Sequence, residues 1–103
     1  MNKTIMRKIT VQACNAFMNA EKFKSANTEV EVLPNVTTLK LFGNEIAYRY
    51  NDPDRTLSIT NAGWMSNTTK ERLNGIDGVQ VQQIKGEWYL NGKLWDGKLI
   101  NIK

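Results

Sequence analysis

The chain has 103 residues, 14 Lys and Arg against 10 Asp and Glu, a net charge of +4 and no His. This length suits one domain, and the single Cys excludes an internal disulfide. Without His, the chain has neither a Cys/His zinc site nor a His-based catalytic triad. Its apolar runs are far shorter than the ~20 residues that span a bilayer, and a lone thiol is typical of the reducing cytosol. We therefore expect a cytoplasmic protein with no membrane partner.

The N-terminal part predicts an amphipathic helix over residues 5–24. Apolar side chains recur there at three- and four-residue spacing, which places them on one helix face. These residues are Ile9, Ala13, Ala16, Phe17, Ala20 and Phe23. Cys14 lies near this stripe and is predicted to be a buried structural thiol. Residues 1–5 form a possible leader ahead of the helix.

Alternating apolar and polar residues then predict four half-buried strands. The alternating residues are Val30 and Val32; Leu39 and Leu41; Ile46, Tyr48 and Tyr50; and Leu57 and Ile59. Turn residues separate them at Pro34-Asn35, Gly43-Asn44 and Asn51–Asp54. Such short connections favour an antiparallel meander.

A short second helix and further strands complete the predicted fold. Thr68 and Glu71 have the spacing of a capping box, and Gly75 is placed to end the helix in the left-handed conformation. Asn91-Gly92 is the strongest hairpin signal in the chain, with Trp88–Leu90 before it and Lys93–Trp95 after it. Asp96-Gly97 predicts another turn, and Leu99–Ile102 predicts a last strand. The fold class is α+β, in one domain over residues 1–103.

Two stretches resemble a family of short accessory proteins, of about 100 residues, that tailed bacteriophages encode. The first runs from LSITNAGW, residues 57–64, into SNTTKERLN, residues 66–74; the second is WYLNGK, residues 88–93, followed by WDG, residues 95–97. The N-terminal helix and the TTLKLFGNEIA stretch, residues 37–47, share the likeness, whereas residues 51–55 look like an insertion. The resemblance implies a phage gene product in the bacterial cytoplasm, and no particular activity.

The aromatic residues of the C-terminal hairpin are the first candidates for partner contact, because Trp and Tyr are common anchors of protein interfaces. We expect Tyr89, Trp95, Lys93 and Arg49 to contact a partner protein. The alternative is that Trp88 and Trp95 belong to the core and only Tyr89 is exposed, because a small domain needs large side chains inside. Trp64, at a junction between strand and helix, is predicted to pack in the core or at a hinge.

Basic residues are concentrated near the N-terminus and in the C-terminal hairpin. Cations along one surface bind phosphates, and aromatic residues among them stack on bases. The residues that would form such a surface are Arg7, Lys8, Lys22, Lys24, Lys85 and Lys98. The more ordinary interpretation is that these side chains are solvated and keep the protein soluble.

No arrangement of residues indicates catalysis. The acidic pairs Glu29 and Glu31, and Asp52 and Asp54, are predicted to be solvated rather than to hold a metal. We therefore expect no enzyme activity, no cofactor and no metal site. The leading hypothesis is an accessory protein that binds a bacterial host protein, such as a defence or transcription factor. The alternatives are a small nucleic-acid-binding protein, which would bind DNA or RNA, and a homo-oligomer formed through unpaired sheet edges.

Overall fold

The computed structural model describes residues 7–102 and has the predicted α+β fold class. The possible leader, residues 1–5, lies outside the described residues. The helices are α1 (Lys8–Met18) and α2 (Asn67–Asn74). The strands are β1 (Phe23–Ser25), β2 (Thr28–Val32), β3 (Val36–Leu41), β4 (Asn44–Tyr50), β5 (Leu57–Ile59), β6 (Val81–Ile84), β7 (Glu87–Leu90), β8 (Lys93–Leu94) and β9 (Ile100–Asn101).

The larger sheet has six strands in the order β1-β2-β3-β4-β5-β9, all neighbours being antiparallel. The predicted meander is therefore confirmed over β2 to β5. Alternation places Val30, Leu39 and Ile59 on the face that the core covers, where they are buried. The other face carries half-exposed charges, such as the ion pair of Lys40 with Glu31 (Nζ–Oε1 2.9 Å).

Helix α1 is shorter than predicted, because it ends at Met18 and residues 23–25 form the edge strand β1. Ala20 adopts a left-handed conformation (φ 54°) just after the helix. The amide of Glu21 donates to the carbonyl of Ala16 (2.8 Å) and that of Ala20 to Phe17 (3.4 Å), which is the Schellman pattern. This signal was missed because glycine, rather than alanine, normally occupies that position.

Helix α2 begins and ends differently from the sequence prediction. Ser66, not Thr68, is the N-cap, and its hydroxyl accepts a hydrogen bond from the Thr69 amide (3.1 Å). Gly75 has a helical φ of −76°, so its predicted left-handed conformation is wrong. The glycine is instead needed for close packing, because an added Cβ would lie 2.6 Å from the Cys14 sulfur.

The smaller sheet contains β6, β7 and β8 in that order. The predicted Asn91-Gly92 turn connects β7 to β8, and both residues have positive φ (50° and 87°). After β8 the chain leaves this sheet. The last strand, β9, pairs with β5 of the larger sheet, with Ile100 opposite Ile59.

One hydrophobic core extends from the larger sheet to the smaller one. Trp88 and Trp95 both belong to it, and their ring centroids are 6.1 Å apart. No helix among residues 7–102 is both long and apolar enough to cross a membrane.

Candidate binding surfaces

The four residues predicted to contact a partner do not form one surface. Tyr89 and Lys93 lie on the smaller sheet, where Tyr89 is half-buried and Lys93 is exposed. Arg49 lies on β4 in the larger sheet. Trp95 is only 6% exposed, and its indole N–H donates to the carbonyl of Lys98 (3.0 Å). The alternative that Trp88 and Trp95 belong to the core is therefore confirmed, and packing against Trp88 leaves Trp95 little surface for a partner.

The six basic residues of the alternative interface are all exposed, but they lie on separate parts of the fold. Arg7 and Lys8 are at the start of α1, whereas Lys22 and Lys24 are near the edge strand β1. Lys85 is in the turn between β6 and β7, and Lys98 lies between β8 and β9. Acidic residues reduce the local charge, because Lys24 is opposite Glu29 and Arg7 Nε is 3.8 Å from Glu71 Oε1.

The most exposed aromatic side chains line a cleft that the sequence analysis did not predict. Phe42 is 69% exposed and Trp64 is 60% exposed. They line a cleft of about 350 Å³, here called the apolar cleft, together with Leu41, Asn44, Ile46, Ser66, Thr68 and Thr69. The prediction that Trp64 packs in the core or at a hinge is therefore wrong.

Phe42 occupies a conformation that is unfavourable for its residue type. It forms a two-residue turn with Gly43 between β3 and β4, and both have positive φ (52° and 79°). Asn or Gly is normally preferred at the first position of such a turn, and a bulky side chain there is strained. The backbone is nevertheless anchored, because the Phe42 amide donates to the carbonyl of Asn27 (2.7 Å). The turn thus holds a large apolar side chain in solvent.

Trp64 is held by a second well-anchored turn. Ala62 and Gly63 both have positive φ (55° and 87°), and the Trp64 amide closes the turn on the carbonyl of Asn61 (2.9 Å). The buried Asn61 side chain accepts a hydrogen bond from the Gly63 amide (2.8 Å). The turn therefore places Trp64 outside the core without leaving its backbone loose.

The apolar cleft has mostly apolar walls and a few polar groups. Leu41 and Ile46 are core residues of the hairpin, and Phe42 and Trp64 extend these walls into solvent. The polar groups are Asn44 on β4 and the side chains at the start of α2, where the Ser66 hydroxyl accepts a hydrogen bond from the Thr69 amide. Apolar walls with a few placed polar groups are typical of surfaces that receive a ligand or a side chain of a partner.

A separate groove of about 630 Å³ is lined by Met65, which follows Trp64 in the sequence. Leu94 and Ile100, from the edge strands β8 and β9, are exposed on its walls. Trp88 also lines it, and the buried indole N–H of Trp88 has no hydrogen-bond acceptor among residues 7–102.

The ionisable side chains do not form a metal-binding cluster within the described residues. Cys14 is buried as predicted, and its thiol donates to the carbonyl of Arg72 (3.2 Å). Burial raises the pKa of the Cys14 thiol to about 12. At neutral pH the sulfur is therefore a protonated thiol, which is a poor nucleophile.

The chain was compared with protein families, with curated proteins and with solved structures. Residues 6–101 match the family described as Kyanoviridae Gp96 protein. Neither the curated proteins nor the solved structures contain a match.

Proposed function

Because this chain belongs to the Kyanoviridae Gp96 protein family of bacteriophages, we propose that it is a non-enzymatic accessory protein that binds and modulates a bacterial host protein. A defence factor or a transcription factor is the class of partner that we favour, and binding would take place in the cytoplasm of the infected cell. The apolar cleft and its two exposed aromatic residues are the observation that supports this proposal.

Exposing these two side chains costs free energy in the isolated protein. A monomer gains little burial energy from a Phe that is 69% exposed, and this Phe also occupies a strained turn position. Strain of this kind costs on the order of 1 kcal/mol and is concentrated at functional sites. Large aromatic residues on rigid backbone are also the side chains that contribute most to protein interfaces. We infer that Phe42 and Trp64 are the main contacts with the host protein.

The test separates stability from binding. Phe42→Asn places a favoured residue in the turn, so we expect the free energy of unfolding to rise by about 0.5–1 kcal/mol. The same substitution, and Trp64→Ser, should weaken partner binding at least about tenfold, as the loss of an interface anchor does. The host protein is first captured from bacterial lysate with tagged wild-type protein, then purified and titrated by calorimetry.

Val11→Gln is the matched control. Val11 is also exposed, but it lies on α1, outside the apolar cleft and outside the groove that Met65 lines. It should bind the captured protein as the wild type does. Capture of no specific host protein, or equal affinity for Phe42→Asn and wild type, would contradict the proposal.

The nucleic-acid alternative gives a different result in a separate titration. DNA and RNA binding would fall steeply with salt and would be lost when Arg7, Lys8, Lys22 and Lys24 are replaced by Glu. Binding that survives physiological salt and depends on those cations, with Phe42→Asn unaffected, would favour the alternative. The homo-oligomer hypothesis is tested by light scattering, in which only monomer at high concentration would exclude it.

A further inference from the structure

A second cleft lies at the opposite end of the β3–β4 hairpin from Phe42. There Val36 pairs with Tyr50, whereas Leu41 pairs with Asn44 beside the Phe42 turn. The cleft has a volume of about 240 Å³ and contains two arginines and no acidic residue among its lining side chains. We call it the basic cleft; its main lining residues are Met18, Leu33, Val36, Arg49, Tyr50 and Arg55.

Arg49 is half-buried and has spare hydrogen-bonding capacity. Its Nη1 donates to the carbonyl of Met18 (3.0 Å) at the end of α1 and contacts the Met18 sulfur (3.3 Å). A guanidinium has five N–H donors. Within residues 7–102, its Nε and Nη2 atoms have no acceptor, and Arg49 forms no ion pair.

Arg55 provides the second positive charge at this cleft. Its backbone is left-handed (φ 54°), and its amide donates to the carbonyl of Asp52 (3.0 Å). The Asp52 carboxylate is engaged elsewhere, because it accepts hydrogen bonds from the amide (2.9 Å) and the hydroxyl (2.7 Å) of Thr56. Arg55 likewise has no carboxylate partner among the described residues.

We propose that the basic cleft binds a small organic oxyanion, a carboxylate or phosphate attached to an apolar or aromatic group. The planar fork of a guanidinium matches two oxygens of such an anion. Leu33, Val36 and the ring of Tyr50 supply the apolar contacts. The volume of about 240 Å³ limits the ligand to one small group.

The oxyanion site goes beyond the proposed function and does not depend on it. Phe42 and Trp64 do not line the basic cleft, and Arg49 and Arg55 do not line the apolar cleft. Loss of host-protein binding in Phe42→Asn therefore leaves oxyanion binding intact, and the two proposals fail separately.

The test is an NMR titration with benzoate, phenyl phosphate and uncharged benzyl alcohol. We expect saturable shifts of the Tyr50, Arg49 and Arg55 signals with at least one of the two anions and none with the alcohol. Binding of benzoate alone or of phenyl phosphate alone would identify which oxyanion the cleft prefers. Equal shifts with benzyl alcohol, or no saturable shifts with either anion, would overturn the proposal.

Two variants assign the binding to the arginines. Arg49→Gln and Arg55→Gln should each raise the dissociation constant about tenfold, as the loss of a charge-assisted hydrogen bond does. Arg55→Gln tests the site without disturbing the end of α1, which Arg49 caps. Lys40→Gln makes the same charge change at a partly exposed position outside the cleft and should bind like the wild type. Unchanged binding in both arginine variants would also overturn the proposal.

Discussion

Arg72 joins three elements of the fold, α1, α2 and β2. It is only 1% exposed, and it extends from α2 to the two elements beside that helix. Its Nη1 donates to the Thr10 hydroxyl on α1 (2.7 Å), and its Nε donates to the Thr28 hydroxyl on β2 (3.0 Å). Glu71 supplies the counter-charge, with Oε1 2.5 Å from Nη1. A buried guanidinium is tolerated only when its hydrogen bonds and its charge are satisfied in this way.

Removal of this charge should destabilise the protein strongly. Arg72→Met keeps a long side chain but removes the hydrogen bonds to Thr10 and Thr28 and the positive charge beside Glu71, so we expect a loss of about 3–5 kcal/mol. Lys40→Met is the control, since the Lys40–Glu31 pair is partly exposed and should contribute less than about 1 kcal/mol. Urea unfolding measures the loss of unfolding free energy in both variants. Equal losses would show that Arg72 does not stabilise the contact between α1, α2 and β2 more than a surface ion pair does.

At the scale of the element, turns and helix ends determine where each segment goes. The turn at Asp96-Gly97 is anchored to the end of β5, because the carbonyl of Gly97 accepts hydrogen bonds from the Asn61 amide and the Thr60 hydroxyl (both 2.9 Å). This anchor directs the chain from the smaller sheet back to the larger one, where β9 pairs with β5.

Two glycines with the same φ test this anchor. Gly92 and Gly97 have φ of 87° and 86°, but a Cβ at Gly92 meets open space, whereas one at Gly97 overlaps the Asn61 side chain. We expect Gly92→Ala to cost about 1 kcal/mol through its backbone conformation alone. Gly97→Ala adds a clash and should cost about 2–5 kcal/mol. Thermal and urea unfolding measure the loss of stability in both variants. Similar losses would mean that the Asn61 side chain moves aside at little cost in free energy.

The junction of α1 and α2 predicts a pH dependence. Glu71 Oε2 accepts a hydrogen bond from the Arg7 amide (3.1 Å) at the start of α1. Partial burial raises the pKa of the Glu71 carboxyl, but hydrogen bonds from Arg7 and Thr10 and the charge of Arg72 outweigh burial and hold that pKa below 4.5. Because the folded-state pKa is depressed, this stabilisation is fully present above about pH 4.5 and is lost as the pH falls through the lower value.

Unfolding in urea at neutral pH and in acid checks this dependence. The wild-type free energy of unfolding should fall in acid, and the fall should be smaller in Glu71→Gln. Asp52→Asn is the comparison, because hydrogen bonds from Thr56 also lower the pKa of Asp52, but these hydrogen bonds stay within one loop. If the free energy of unfolding falls equally in acid for the wild type and for Glu71→Gln, Glu71 is not the cause of the pH dependence.

At the scale of the whole molecule, the shared core connects two separate sheets. The core includes Phe17 and Leu39 from one side and Trp88 and Leu90 from the smaller sheet. A small sheet with two-residue and four-residue strands has little stability alone, so its packing on the common core should keep it folded.

We therefore predict one cooperative unfolding transition, as a single domain over this chain requires. In Trp64→Phe, tryptophan fluorescence reports only on Trp88 in β7 and Trp95 just after β8. Far-UV circular dichroism reports on the whole fold. The two signals should change at the same urea concentration. An earlier fluorescence transition would show that the smaller sheet unfolds independently.

The sequence alone determined the elements that depend on local patterns. The alternating apolar residues of β2 to β5 and the Asn91-Gly92 turn predicted the meander and the hairpin, because side-chain period and positive φ are local properties. The phage family was also visible in residues 57–74 and 88–97, and the match over residues 6–101 confirms it. The end of α1 was missed because its left-handed residue is Ala20 rather than glycine.

Tertiary structure alone decided which aromatic residues are exposed. Trp64, Trp88 and Trp95 have the same side chain, yet a turn held by Asn61 places Trp64 in solvent while the other two pack together in the core. The apolar cleft, the basic cleft and the contacts of Arg72 likewise combine residues that are distant in sequence. Burial depends on the neighbours that the fold brings together, and a residue's own type and spacing do not specify those neighbours.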